Sequence, residues 1–203
     1  VRRSELIRRL AAVPGFPSPD PRLEQVVTPP EAAAELLSEA LARGDLEGRS
    51  VADLGCGTGR LALGAAVLGA RRVEGWDVDP HPLDLARATA RKWGVAVEFV
   101  AREVAPPPPK VDTIVMNPPF GAQTARADRP FWELALGGPS KAVYGFASAD
   151  SRTFIERRAV AHAAHLDERR PIDWTMPHTF RHHRKRSVRL SVDLWVLRRP
   201  PTP

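Results

Sequence analysis

The 203 residues suffice for one domain burying roughly 70% of its unfolded surface, and 43% apolar with 27% charged residues is an ordinary globular balance. No apolar run is long enough to cross a bilayer, Val1-Arg2-Arg3-Ser4-Glu5 opens no signal-peptide core, and the lone Cys56 offers neither an internal disulfide nor a zinc-ligand set. A cytoplasmic protein without a metal is therefore expected, and thirty basic against twenty-four acidic residues, for a net charge of +6, favour a polyanionic partner.

In chain order, Ser4 to Val13 is predicted as a short helix ending before Pro14-Gly15. A second helix is expected to start at Thr28 as N-cap, with Pro29 in the first helical position and Glu31 completing a capping-box pattern. Ala33, Leu36, Leu37, Ala40 and Leu41 recur at helical spacing until Gly44-Asp45 stops the run. From Ser50 strand and helix alternate. Strands are predicted at 51–54, 72–78, 95–100 and 111–116, with helices at 61–68 and from Pro80 to about Trp93, the latter capped by Asp79. Pro106 to Pro109 forms a stiff connector. Near the end, Val188, Leu190, Val192, Leu194 and Val196 alternate strictly with other residues, which suggests a late antiparallel strand with one less buried face. The expected architecture is α/β, a mostly parallel sheet covered by helices on both faces with that strand added.

Asp53-Leu54-Gly55-Cys56-Gly57-Thr58-Gly59 lies between the first of these strands and a helix. Glycines there let a ligand approach the backbone at the carboxyl edge of the sheet. A phosphate-binding Walker loop needs Gly-Lys-Ser/Thr, but Arg60-Leu61 follows Gly59. The dinucleotide spacing also fails, because the third glycine comes one residue early. Asp53 would repel a pyrophosphate, whereas S-adenosylmethionine carries a cationic ammonium and sulfonium that an acidic strand end attracts. Asp77 ends the second strand 24 residues later, where a carboxylate can accept from a ribose diol. Glu103, past the third strand, is a candidate neighbour of the adenine.

Asn117-Pro118-Pro119-Phe120 follows the fourth strand. The two prolines fix the backbone and remove N–H donors, leaving acceptors outward. A conjugated amine is a poor nucleophile because its lone pair is delocalised. The Asn117 side-chain oxygen and the Pro118 carbonyl can both accept from it, favouring a tetrahedral nitrogen whose lone pair faces a methyl sulfonium. Phe120 offers a stacking face for a base. Glycine loop, Asp77 and tetrapeptide at successive strand ends point to amino-group methylation.

At this level the chain resembles the small archaeal and eukaryotic ribosomal RNA adenine-N6 methyltransferases, the methyltransferase-like protein 5 family. The resemblance runs through Leu23-Glu24-Gln25, Asp53 to Gly59, Leu68-Gly69-Ala70, Asp77-Val78-Asp79, Val115 to Gly121, Asp128 to Phe131, Val143-Tyr144 and His183 to Val188. It implies a seven-stranded class I, Rossmann-like methyltransferase fold, residues 1–48 forming a helical segment over the cofactor and 49–203 the catalytic core of one domain. By matched position it implies S-adenosylmethionine contacts from Gln25, Thr28, Gly55, Thr58, Arg60, Asp77, Glu103 and Val104, to which the loop reading adds Asp53, Gly57 and Gly59. Asn117, Pro118, Pro119 and Phe120 would hold the adenine. The family also implies a small zinc-containing activator protein as partner. Two departures stand out: Val26-Val27 where the family has Tyr-Pro, and Phe146-Ala147-Ser148 where it often has a His-Lys pair.

The densest cationic stretch, with Arg181, His183, Arg184, Lys185 and Arg186, precedes the last strand and is the expected RNA-phosphate contact. The polar, basic stretch from Ala122 to Arg129 is expected to gate the target base. Two enzymatic rivals, a protein glutamine-N5 methyltransferase and a DNA adenine methyltransferase, lack here the larger helical substrate domain and the base-reading insertion they would need. A silent cofactor-binding or RNA-binding scaffold would have little use for an intact Asn117 to Phe120.

Overall fold

The computed structural model describes residues 1–121, 123–176 and 188–200. Seven strands form one sheet: β1 (Ser50–Leu54), β2 (Arg72–Asp77), β3 (Glu98–Ala101), β4 (Thr113–Met116), β5 (Ala142–Ser148), β6 (His165–Met176) and β7 (Val188–Arg198), in spatial order β3-β2-β1-β4-β5-β7-β6. The first five run parallel, and β7 pairs antiparallel with both β5 and β6. The expected α/β fold with a late antiparallel strand is thus present.

Among the described residues six α-helices cover the sheet: α1 (Arg3–Ala11), α2 (Pro30–Ala42), α3 (Arg60–Val67), α4 (Pro80–Trp93), α5 (Arg129–Gly137) and α6 (Arg152–Ala161). Apolar residues of α1 to α4, among them Leu6, Leu10, Leu36, Leu37, Leu63 and Leu83, bury one face of the sheet. Trp132 and Leu136 of α5 with Ile155 of α6 bury the other. The four-residue β4 is buried throughout, as a strand covered on both faces must be.

The structure corrects two expectations. Thr28 does not cap α2. Pro30 occupies the first helical turn and forces the residue before it into extended backbone, so Pro29, at φ −53° and ψ 139°, is the N-cap. Thr28 is drawn inward instead and is buried. The central part of β7 is buried on both faces, so its period of two does not mark a wetter side. Val192, Leu194 and Val196 join the layer under α2, while Trp195 meets Trp132 edge to face at 6.3 Å. Asp193, on that second face, is buried too and is held by the Arg152 guanidinium at 2.6 and 3.0 Å.

The strand order reverses between β1 and β4. In open parallel sheets that is where a crevice opens beyond the carboxyl ends of the strands. The glycine loop follows β1, Asp77 ends β2, and Asn117 follows β4. The fold therefore brings all three motifs to one edge. The first 48 residues divide in function: α1 and α2 belong to the packed layer, and the stretch between them arches over this edge.

Candidate active site

The loop after β1 is shaped by what its glycines leave out. Gly55, at φ 70°, has no room for a Cβ, which would stand 2.8 Å from the Phe131 ring. Gly57, at φ 53°, lies under Phe16, whose ring would be 2.6 Å from a Cβ there. Gly59 is the N-cap of α3 at φ 84°, packed beneath Phe99 and Ala86, and it lines neither cavity described below.

A cavity of about 340 Å³ opens beside this loop. Gln25, Gly55, Asp77, Glu103, Val104, Asn117 and Pro119 line it, so it gathers expected residues from five separate segments. A smaller adjoining cavity of about 30 Å³ is lined by Thr28, Asp53, Gly55, Gly57, Thr58, Arg60 and Asn117. Phe16 and Val26 border both. Pro118 is buried outside them. Phe120 is half-buried and meets Trp174 edge to face at 5.4 Å rather than lining either space. Arg181, His183, Arg184, Lys185 and Arg186 lie outside the described residues, as does Ala122 of the expected gate; its Thr124 and Ala127 border the larger cavity.

Two buried oxygens in this region have no hydrogen-bond partner: Oδ1 of Asp53 and Oδ1 of Asn117. The other Asp53 oxygen accepts the Ala62 amide of α3 at 2.9 Å. Burial pushes the Asp53 carboxyl up to about 7, the Ala62 amide opposes this, and the nearby Asp77 charge adds to it. Asp77 accepts the Gly57 amide at 2.7 Å through Oδ2 and the Asp79 amide at 2.9 Å through Oδ1. It therefore braces the glycine loop, while each oxygen keeps a second lone pair for a ligand in the cavity. Burial raises its carboxyl above the ordinary range against the pull of those two amides.

Arg60 and Gln25 tie the N-terminal stretch to the core, although the buried Arg60 Nε has no partner. Arg60 donates to the carbonyls of Thr28 and Val13 at 2.5 and 2.9 Å, and burial lowers its guanidinium to about 10. It fastens the N-terminal stretch to α3. Gln25 donates to Asp79 Oδ2 at 2.8 Å and accepts the Asp20 amide at 2.8 Å, tying the same stretch to the loop after β2. Asp79, as expected, caps α4 by accepting the His81 amide.

The geometry fits a ligand with a cationic end, an apolar-walled middle and a diol. The smaller cavity holds an unpartnered carboxylate oxygen, suited to a positive group. The larger has the volume of a small-molecule site and places Asp77 and Glu103 on its lining.

The model of the family described as the methyltransferase small domain matches residues 29–140, and the rRNA N(6)-adenosine-methyltransferase Mettl5 of Drosophila melanogaster is 31% identical over 194 residues, 92% of this chain and 91% of that one. The chain belongs to this methyltransferase family. The corresponding enzyme of Danio rerio is 32% identical, covering 93% of this chain and 95% of its own. A crystal structure of a proposed RNA methyltransferase from Pyrococcus horikoshii superposes with a TM-score of 0.89 at 37% identity, covering 98% of each chain. The methyl donor of this methyltransferase is S-adenosylmethionine.

Three contributors to the site escaped the sequence reading: Phe16, Phe131 and the carboxylate of Glu24. Phe131 lies in the first turn of α5 and reads as an ordinary helix residue. Phe16 is an aromatic between Gly15 and Pro17 in a loop, where no helix or strand face calls for it, and this was the available signal. Glu24 carried none, because its partners lie about a hundred residues away.

Proposed function

We propose that this methyltransferase transfers a methyl group to N6 of an adenosine in ribosomal RNA, with residues 1–203 working as one domain. The buried, unpartnered Oδ1 of Asn117, lining both cavities, carries this reading. An acceptor left unsatisfied in the interior costs about 1–3 kcal/mol, a cost offset when a substrate donor fills it.

Asp53 and the Gly57–Thr58 backbone would hold the amino-acid end of the donor, Asp77 the ribose, and Glu103 with Val104 the adenine. S-adenosylmethionine supplies an electrophilic methyl on a sulfonium, and its transfer leaves one surplus proton on the amine for water to take. Asn117 Oδ1 and the Pro118 carbonyl accept the two N6 hydrogens and turn the nitrogen lone pair toward the methyl. Pro119 stiffens the turn, and Phe120, braced by Trp174, stacks on the base once it moves into line. The adenosine must be unpaired or flipped out to reach these acceptors. Arg181, His183, Arg184, Lys185 and Arg186 neutralise flanking phosphates. Among the described residues no helix is long and apolar enough to cross a membrane. We take the enzyme to be cytoplasmic and to pair with a small zinc-containing activator protein.

The test is purified protein, alone and with such an activator, incubated with unmodified ribosomal RNA and donor, followed by nucleoside mass spectrometry. N6-methyladenosine is expected. Methyl on glutamine of a ribosomal protein, with none on RNA, would replace this reading by the protein-directed one.

A further inference from the structure

Adjacent residues of the N-terminal stretch grip loops on opposite sides of β1. Glu24 stands at φ 49°, a left-handed conformation that side chains other than glycine rarely adopt. From there its carboxylate accepts the Gly121 amide at 3.0 Å through Oε2, and the Gln123 and Thr124 amides at 2.8 and 3.4 Å through Oε1. Gly121 follows Phe120 directly, so this carboxylate holds the chain immediately beyond the tetrapeptide that would receive the target amine. Gln25, the next residue, binds Asp79 two positions past Asp77. Leu23, Glu24, Gln25 and Val26 all line the larger cavity between these two anchor points.

We propose that Glu24 is a positioning residue that couples occupancy of the cofactor cavity to the placement of the Asn117–Phe120 turn. Ligand in the larger cavity packs beneath residues 23–26 and holds them down. Gln25 then stays on Asp79, and Glu24 stays on the amides that follow Phe120. Without ligand the same stretch lifts more readily and releases those amides together. Binding on the donor side thus prepares the acceptor side, and linkage requires the reverse as well: substrate on the turn tightens binding of the donor by the same factor. The charge matters, because a carboxylate offers two acceptor oxygens to three N–H groups, whereas a glutamine at this position offers one and turns a donor toward the others.

The proposal rests on the assigned cofactor cavity but not on the identity of the methylated substrate. Its test uses the full chain and S-adenosylhomocysteine, reading hydrogen exchange at the amides of Gly121, Gln123 and Thr124. In the native protein, saturating ligand should slow exchange at all three by about tenfold, a typical coupling factor. In Glu24→Gln the slowing should fall below about twofold while ligand still binds. Native amides indifferent to ligand would overturn the proposal, whatever the variant does. So would a folded Glu24→Gln protein that keeps the full response. Absence of methyl transfer to RNA, with the exchange response intact, would instead overturn the substrate assignment alone.

Discussion

Polar side chains at the two ends of β1 and β4 differ in how far the protein satisfies them. At the amino end the Asp45 and Asp112 carboxylates are engaged. Asp45 takes the Tyr144 hydroxyl at 2.7 Å and the Arg198 guanidinium at 3.0 Å, while its carbonyl accepts the Thr113 hydroxyl. Asp112 accepts both the backbone amide and the hydroxyl of Ser50, which hold its carboxyl below the usual range. At the carboxyl end, Asp53 and Asn117 each keep a buried oxygen without a partner. Around β1 and β4 the first set contributes stability, and the second leaves acceptors beside the cavities that a ligand can complete.

Substitutions at the two ends should therefore separate chemistry from stability. The largest effect is expected at Asn117. Asn117→Ala should slow methyl transfer by about 100- to 1,000-fold, the scale of losing one preorganised polar group, with the donor's Kd within about twofold in equilibrium binding. A parallel loss of donor binding would assign Asn117 to the cofactor instead. Next comes Asp77→Ala, which should weaken donor binding by about tenfold or more in calorimetry, since both the ribose acceptor and the brace on Gly57 go. An unchanged Kd would reject the ribose role.

Asp53 yields a pH signature. Its folded carboxyl sits near 7, above the unfolded value, so the folded protein without ligand binds the proton more tightly. The associated stability is present below about pH 4 and is lost as pH rises toward 7. Asp53→Asn should thus raise the melting temperature of the ligand-free protein by several degrees at pH 8, about 2–4 °C for each kcal/mol, with little change near pH 4. Donor binding should strengthen in the native protein between pH 6 and 8 as the carboxylate ionises, and flatten in the variant. The smallest effect belongs to the amino end. Tyr144→Phe removes one hydrogen bond to Asp45 and should cost about 1–2 kcal/mol in thermal unfolding, with the rate of the folded enzyme unaltered.

Legibility in the sequence followed burial. β1 and β4 were readable because parallel strands covered on both faces become apolar runs, and α4 carries a cap at Asp79. β6 was not. It is an edge strand with Pro171 and the charged run Asp167 to Arg170, and no period of two survives that mixture. α6 buries only Ile155 and Ala159, too few to show a helical stripe. Ala142 to Ser148, in contrast, is an apolar run that could have been assigned as β5 from sequence. In the site, motif residues adjacent in sequence were visible, while the work of Glu24, done through distant contacts, became visible only in three dimensions. The actual tasks of Gln25 and Arg60, holding the N-terminal stretch in place, likewise depend on partners 32 to 54 positions away.

The claim beneath all of this is that Asn117 Oδ1 waits for the amine of the target base. Once the modified adenosine is mapped, an RNA carrying purine in its place removes that amine and nothing else. With S-adenosylhomocysteine bound, the native enzyme should lose about tenfold in affinity for the purine RNA, and Asn117→Ala should bind both RNAs equally. An Asn117→Ala enzyme that still discriminates between them as strongly as the native one would contradict the account.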